Sequence, residues 1–236
     1  MRFFQKAYGV SKMNPVQKSI VAGLLATASL AVTAQAQAAT VLTGTLTTDN
    51  GFFAYLSTSD STLGSDFLAA STYWPTPVSF SKVLPAAPVL YLHIEGIQTG
   101  IVEMITGQFS LSGTKYVFAN GTQSLLTNTT DWKGSYVNGS KTFTIQPWVT
   151  PTGPVLSYGL NVNSTPLWHH IAGISSAAED IWPVDNAGCQ KCTVDISTPI
   201  YATAVPEPAE WAMIITGLGM VGATARFGRR RQAVAI

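Results

Sequence analysis

The chain has 236 residues, with 13 Lys+Arg against 12 Asp+Glu and a formal net charge of +1. This near-neutral value hides an uneven distribution, because every arginine lies in the two terminal segments. Residues 40–204 carry five lysines against ten acidic residues, a formal charge of −5. An acidic, arginine-free central segment lacks the cationic surface that drives nucleic-acid binding, so the composition excludes that class of function.

Residues 1–39 have the three-part pattern of a secretory signal peptide. Four cationic side chains precede an uncharged apolar run at 20–32, and the small-residue sequence AQAQA follows at 34–38. Cations hold the amino end in the cytoplasm, the apolar run enters the bilayer, and small residues fit the pocket of signal peptidase. The run is shorter than the roughly 20 residues that a spanning helix needs. We therefore expect cleavage after Ala36, Ala38 or Ala39; the alternative is an uncleaved membrane anchor.

Alternation of apolar and polar residues recurs from 40 to 204 and predicts β-strands. In VLSYGLNVN at 155–163, for example, Leu156, Tyr158 and Leu160 share one face. The run VLYLHI at 89–94 is apolar at nearly every position, which predicts a central strand that is covered on both faces. Further strands are expected at 41–47, 51–56, 76–82, 108–112, 116–119, 142–146 and 192–196.

Turn signals separate these short strands, as in Asp49-Asn50-Gly51, which is typical of a hairpin. Only residues 175–180 favour a short helix, capped by Ser175 or Ser176. The pattern predicts one all-β domain at 40–204, an antiparallel β-sandwich of jelly-roll-like topology. A signal helix at the amino end and a transmembrane helix at the carboxyl end are expected to flank it.

Aromatic and polar side chains of this domain are candidates for carbohydrate binding. Sugars present apolar C–H faces that stack on aromatic rings, and their hydroxyls pair with Asp, Asn and Glu. Any single Trp has the alternative role of a core residue. The candidate glycan-binding set is Asp49, Asn50, Trp74, Glu103 and Trp132, with Glu95, Trp148, Trp168 and Trp182 as further members.

No cofactor and no catalytic metal is predicted. A structural Ca²⁺ could be held at Asp49-Asn50-Gly51 or at Glu179-Asp180, although neither has the ligand spacing of a defined calcium loop. His169 and His170 are neighbours, and neighbours on a strand point to opposite faces. The sequence has no G-x-S-x-G motif for nucleophilic catalysis. We predict a protein without enzymatic activity; the alternative is a glycosidase that uses paired carboxylates.

The two cysteines, Cys189 and Cys192, lie in GCQKC. An exported chain meets oxidising conditions, and a tight turn brings two Cα atoms within the distance that a disulfide tolerates. We predict a structural disulfide; a thioredoxin-like redox pair is the alternative, without the usual strand-to-helix context. Two thiols alone fall short of a four-ligand zinc site.

The carboxyl end has the order VPEPAEW at 205–211, an apolar stretch at 211–225 and an arginine cluster. This order resembles the PEP-CTERM sorting tag of exopolysaccharide-producing bacteria. The resemblance implies cleavage by an exosortase-type membrane peptidase after transient anchoring by the apolar helix; an ordinary anchor helix is the alternative. The residues that carry the tag are Pro206, Glu207, Pro208, Trp211, Arg229, Arg230 and Arg231.

A second resemblance covers most of the central domain. Four segments are similar to exported bacterial sandwich domains of galactose-binding-like pattern. They are TLTTDNGFFAYLSTSD at 45–60, VSFSKVL at 78–84, residues 107–132 and AEDIWPVDN at 178–186. Together the two resemblances imply a protein delivered to the cell surface or extracellular space of a Gram-negative-type envelope. We expect a structural or weakly glycan-binding role in an exopolysaccharide or biofilm matrix, with a secreted glycoside-acting enzyme as the alternative.

Overall fold

Strands with alternating apolar side chains pair into two antiparallel sheets, because each sheet can bury one face against the other. The computed structural model describes residues 39–100, 102–140, 142–162, 169–184, 189 and 191–203. Their strands are β1 (Val41–Asp49), β2 (Gly51–Ser57), β3 (Asp66–Ser71), β4 (Val78–Val83), β5 (Val89–Gln98), β6 (Met104–Leu111), β7 (Tyr116–Phe118), β8 (Ser124–Leu126), β9 (Lys133–Asn138), β10 (Val155–Leu160), β11 (Glu179–Pro183) and β12 (Cys192–Ala202).

The two sheets differ in strand order. Sheet A has the order β10-β11-β6-β1-β4, and β8 also pairs with β6. Sheet B has the order β3-β2-β5-β12-β7, and β9 also pairs with β12. The described part of the chain is therefore all-β with two antiparallel sheets, as the alternating pattern predicts.

The main hydrophobic core contains the inward-facing rows of both sheets. Leu42 and Leu46 come from β1, whereas Leu92 and Ile94 come from β5, and all four side chains are fully buried. β5 lies between β2 and β12 in the middle of sheet B, which confirms the central strand predicted at 89–94.

A covering segment lies on the outer face of each sheet. Residues 142–152, here called the strap, contact the outer face of sheet B through Gln146, Trp148 and Val149. Residues 169–178, here called the sheet A cover, form a small apolar cluster with Trp74 through Ile171, Ile174 and Ala178. The outer faces of both sheets are therefore partly shielded from solvent.

Three local predictions are wrong. Residues 142–144 form bends and 145–146 have no regular structure; Thr142 lies within hydrogen-bond distance of both Ser140 and Thr144 through their hydroxyls. Residues 175–178 form a turn, and β11 starts at Glu179 because its backbone finds partners on β6 and β10. The turn at 49–51 is a crossover, since β1 belongs to sheet A and β2 to sheet B.

Cys189 and Cys192 form a disulfide in the structure, with their Cα atoms 6.1 Å apart. Both sulfurs belong to residues that contact the main core. Residues 1–38 of the predicted signal peptide, the candidate residue Trp168 and the sorting segment at 205–236 lie outside the described residues. Within the described ranges, no helix has the length and apolarity needed to cross a bilayer.

Candidate functional site

An open groove crosses the outer face of sheet A, and hydroxyl side chains line it. Period-two alternation places Thr43 and Thr45 of β1 on this face, opposite the inward-facing Leu42 and Leu46. Antiparallel register then aligns hydroxyls from neighbouring strands, so that Thr43 lies between Ser81 and Ser110, and Ser110 lies beside Ser124. We call this feature the hydroxyl groove; its lining residues are Thr43, Gly44, Thr45, Ser79, Phe80, Gln108, Phe109, Ser110, Ser124 and Leu126.

Hydrogen bonds preorganise the groove. Thr43 Oγ1 lies 2.7 Å from Ser110 Oγ, and Thr45 Oγ1 lies 2.8 Å from Ser79 Oγ. Gln108 is fixed by the sheet A cover, because its amide donates to the Gly173 carbonyl at 2.9 Å and accepts from the Ser175 N–H at 2.9 Å. The groove therefore presents oriented polar groups with little freedom to lose on binding.

The hydroxyl groove is uncharged. Its volume is ≈ 470 Å³, and none of its lining residues carries a formal charge. Gly44 is required beneath it, since a Cβ atom there would lie 2.5 Å from the ring of Phe80. A neutral groove with several hydroxyl donors and acceptors suits a polar, uncharged ligand.

The second candidate is a pair of buried carboxyl groups on the outer face of sheet B. Glu95 of β5 and Asp195 of β12 are directly opposite in the antiparallel register, and both side chains are fully buried. Side chains in such positions have Cβ atoms about 4.5–5.5 Å apart. We call them the carboxyl pair.

The strap bonds directly to both members of the carboxyl pair. The N–H of Gln146 donates to both oxygens of Glu95, at 3.2 and 3.0 Å, and the N–H of Val149 donates to Asp195 Oδ2 at 2.6 Å. Burial raises the pKa of Glu95 to about 7, against the opposing effect of the Gln146 N–H. Burial also raises the pKa of Asp195 to about 8; the Val149 N–H opposes this rise, and the charge of Glu95 adds to it.

His93 and Trp148 extend this site along β5. The His93 ring stacks on the Trp148 indole at a centroid distance of 4.1 Å, and its Nε2 lies 3.2 Å from Asp60 Oδ1. Burial lowers the pKa of His93, although the Leu63 carbonyl and Asp60 act in the opposite direction. Both ring nitrogens face oxygen acceptors, because Nδ1 lies 3.2 Å from the Leu63 carbonyl and Nε2 lies beside Asp60, so these two polar contacts fix the orientation of the ring.

The predicted glycan-binding residues do not share one surface. Asp49, Glu103 and Trp132 are only 6 %, 3 % and 2 % exposed, so a ligand at the surface cannot stack on that ring or reach both carboxylates. Asn50 Oδ1 accepts hydrogen bonds from the backbone and hydroxyl of Thr99. Trp74 is half-buried against the sheet A cover. The hydroxyl groove was not predicted, although Thr43 and Thr45 carry the alternation that places it.

Other candidate sites lie apart from the groove. Asp180 is 1 % exposed, and burial raises its pKa to about 6 while the neighbouring Thr106 hydroxyl acts in the opposite direction. Burial and then the charge of Glu103 raise the pKa of Asp49 to about 6. Among the described residues, no three His, Cys, Asp or Glu side chains have an arrangement that could hold a metal ion.

The structure thus offers two sites of different character. The hydroxyl groove is open and neutral, whereas the carboxyl pair is closed and lies beneath the strap. Comparison with protein-family models, with curated proteins and with solved structures finds no match.

Proposed function

We propose that this chain is an exported protein of the bacterial surface or extracellular matrix, and that its sandwich binds neutral glycans through the hydroxyl groove. The sandwich has a jelly-roll-like topology in this proposal, with a signal helix at the amino end of the chain and a membrane helix at the carboxyl end. Signal peptidase and an exosortase-type peptidase are the enzymes that process the two ends. The leader pattern at 1–39 and the PEP-CTERM-like order at 205–236 support export and sorting.

The observation that carries the binding function is the neutral, oriented lining of the hydroxyl groove. Thr43 and Ser110 are exposed and already bonded to each other, so a sugar hydroxyl can join an existing network. Strands lie about 4.8 Å apart, which spaces these hydroxyls regularly across the sheet. A glycan without charged substituents is the ligand class that such a lining favours.

Removing hydroxyls from the groove is expected to weaken glycan binding. Thr43→Val keeps the side-chain shape and Ser110→Ala removes the partner hydroxyl, so the double variant loses about 1–2 kcal/mol, or roughly tenfold in affinity. Isothermal titration of the full chain with neutral and uronate-containing polysaccharides measures this change. The matched control is Thr58→Val, an exposed threonine beside β2 of sheet B, which should leave affinity unchanged. Equal affinity of the double variant and the wild type would contradict the groove assignment.

A glycoside-acting enzyme is the second candidate, and the carboxyl pair is the observation that favours it. Two adjacent carboxyl groups with raised pKa values have the composition of a glycosidase dyad. Both side chains are fully buried beneath the strap, so a substrate has no access in this conformation. An assay for released reducing ends distinguishes the two functions: binding without turnover supports the first, and turnover abolished by Glu95→Gln supports the second.

A further inference from the structure

The oxygens of the carboxyl pair have different environments. Both Glu95 oxygens accept the Gln146 N–H, which suits a carboxylate. Asp195 Oδ2 accepts the Val149 N–H, whereas Asp195 Oδ1 is buried and has no hydrogen-bond partner. An unpartnered buried carboxylate oxygen is costly, and a proton on the carboxyl group lowers that cost by removing the charge.

Other groups around the pair do not supply a compensating cation. Tyr55 of β2 and His93 of β5 face the pair from one side; burial and then the charge of Glu95 raise the pKa of Tyr55. Ser135 of β9 lies opposite Asp195, and the exposed Lys133 lies one row further along, opposite Ser197. Asp60 is bonded to His93, and the described residues of the strap carry no formal charge. Two negative charges would therefore face each other in a buried site.

We propose that protonation of the carboxyl pair, Glu95 and Asp195, acts as a pH-sensitive latch that holds the strap on sheet B. On deprotonation the Asp195 O–H bond breaks, the proton passes to water, and two adjacent carboxylates remain. Their repulsion and their demand for water then favour release of the strap. Opening breaks the contacts to Gln146 and Val149 and uncovers the outer faces of β2, β5 and β12.

The sign of the pH dependence follows from linkage. In the closed state the pair keeps its proton to a higher pH than in the open, hydrated state, where carboxyl groups titrate near pH 4. The closed state of the strap is therefore most stable below about pH 4, and it becomes less stable relative to the open state as the pH rises toward 7–8. Each proton released before opening changes the closing equilibrium by about tenfold per pH unit within this window.

Hydrogen exchange of the full chain at pH 5 and pH 8.5 tests the latch, with rates corrected for the intrinsic pH dependence of amide exchange. We expect protection of 142–152 to fall at least about tenfold from pH 5 to pH 8.5, and by more than that of β1. In Asp195→Asn the amide oxygen still accepts from Val149 and the amide carries no charge at either pH, so the fall in protection should shrink to the part that Glu95 contributes. Glu95→Gln removes the other titrating group of the carboxyl pair and should also reduce the pH response of the strap.

The matched control is Asp180→Asn, which neutralises a buried carboxyl group on sheet A. This variant should keep the wild-type response of the strap. Two results would overturn the latch: wild-type protection of 142–152 that is the same at both pH values, or an undiminished pH response in both Asp195→Asn and Glu95→Gln.

Discussion

The free energy of unfolding is expected to fall by at least about 3 kcal/mol between pH 5 and pH 8.5, because buried carboxyl groups bind protons more tightly in the folded state and each tenfold difference in proton affinity is worth about 1.4 kcal/mol. Burial raises the pKa values of Asp49 and Asp180 to about 6, of Glu95 to about 7 and of Asp195 to about 8. The folded state therefore holds protons that the unfolded chain has already released. Its stability is greatest below the unfolded pKa values and declines as the pH rises through the folded ones.

Thermal unfolding of the full chain across this pH range measures the effect. The midpoint should fall by about 6–12 °C for a domain of this size. Asp195→Asn and Asp180→Asn should each flatten the pH dependence, because each removes one titrating group. A midpoint that rises from pH 5 to pH 8.5 would contradict the burial of these carboxyl groups.

Trp132→Ala is expected to destabilise the sandwich by about 3–5 kcal/mol. The indole is 2 % exposed, its ring centroid lies 5.5 Å from that of Phe109, and its N–H donates to the Leu126 carbonyl at 3.1 Å. Truncation therefore leaves a cavity and removes one of the two side-chain hydrogen bonds that the Leu126 carbonyl accepts, the other coming from Asn128. Trp132→Phe should cost about 1–2 kcal/mol, since it keeps most of the ring and loses the hydrogen bond.

Denaturant unfolding of the full chain separates the two Trp132 variants, and glycan titration of Trp132→Phe separates a core role from a binding role. A folded Trp132→Phe protein should bind glycans with wild-type affinity, because the ring does not line the hydroxyl groove. Loss of binding without loss of stability would instead favour the original assignment of Trp132 as a sugar platform.

Local sequence patterns identify much of the sandwich, because a strand with one buried face repeats its apolar residues with period two. Strands β1 and β12 are predictable in this way, whereas β2 and β5 are predictable from their nearly continuous apolar runs. β3 is not, since DFLAAS has no β-branched residue and lies at the edge of sheet B. The sequence of the strap at 142–146 alternates as in a strand, but its hydroxyls bond locally and Pro147 has no backbone N–H to donate.

The candidate sites depend on register, which local patterns do not contain. Thr43 and Thr45 could be assigned to one face of β1, but their alignment with Ser110 and Ser79 follows from pairing with distant strands. Glu95 and Asp195 meet only because β12 returns beside β5. The resulting burial, and hence the raised pKa values, is a long-range property of the fold.

Cell fractionation combined with surface proteolysis tests the central proposal of export most directly. We expect the full-length chain to lose its leader, to pass transiently through the membrane fraction and to reach the surface or the medium. A version that ends at Ala204 should be exported without membrane retention. Intact full-length chain in the cytosol with its leader uncut would contradict the proposal, and membrane retention of the truncated version would contradict the role assigned to 205–236.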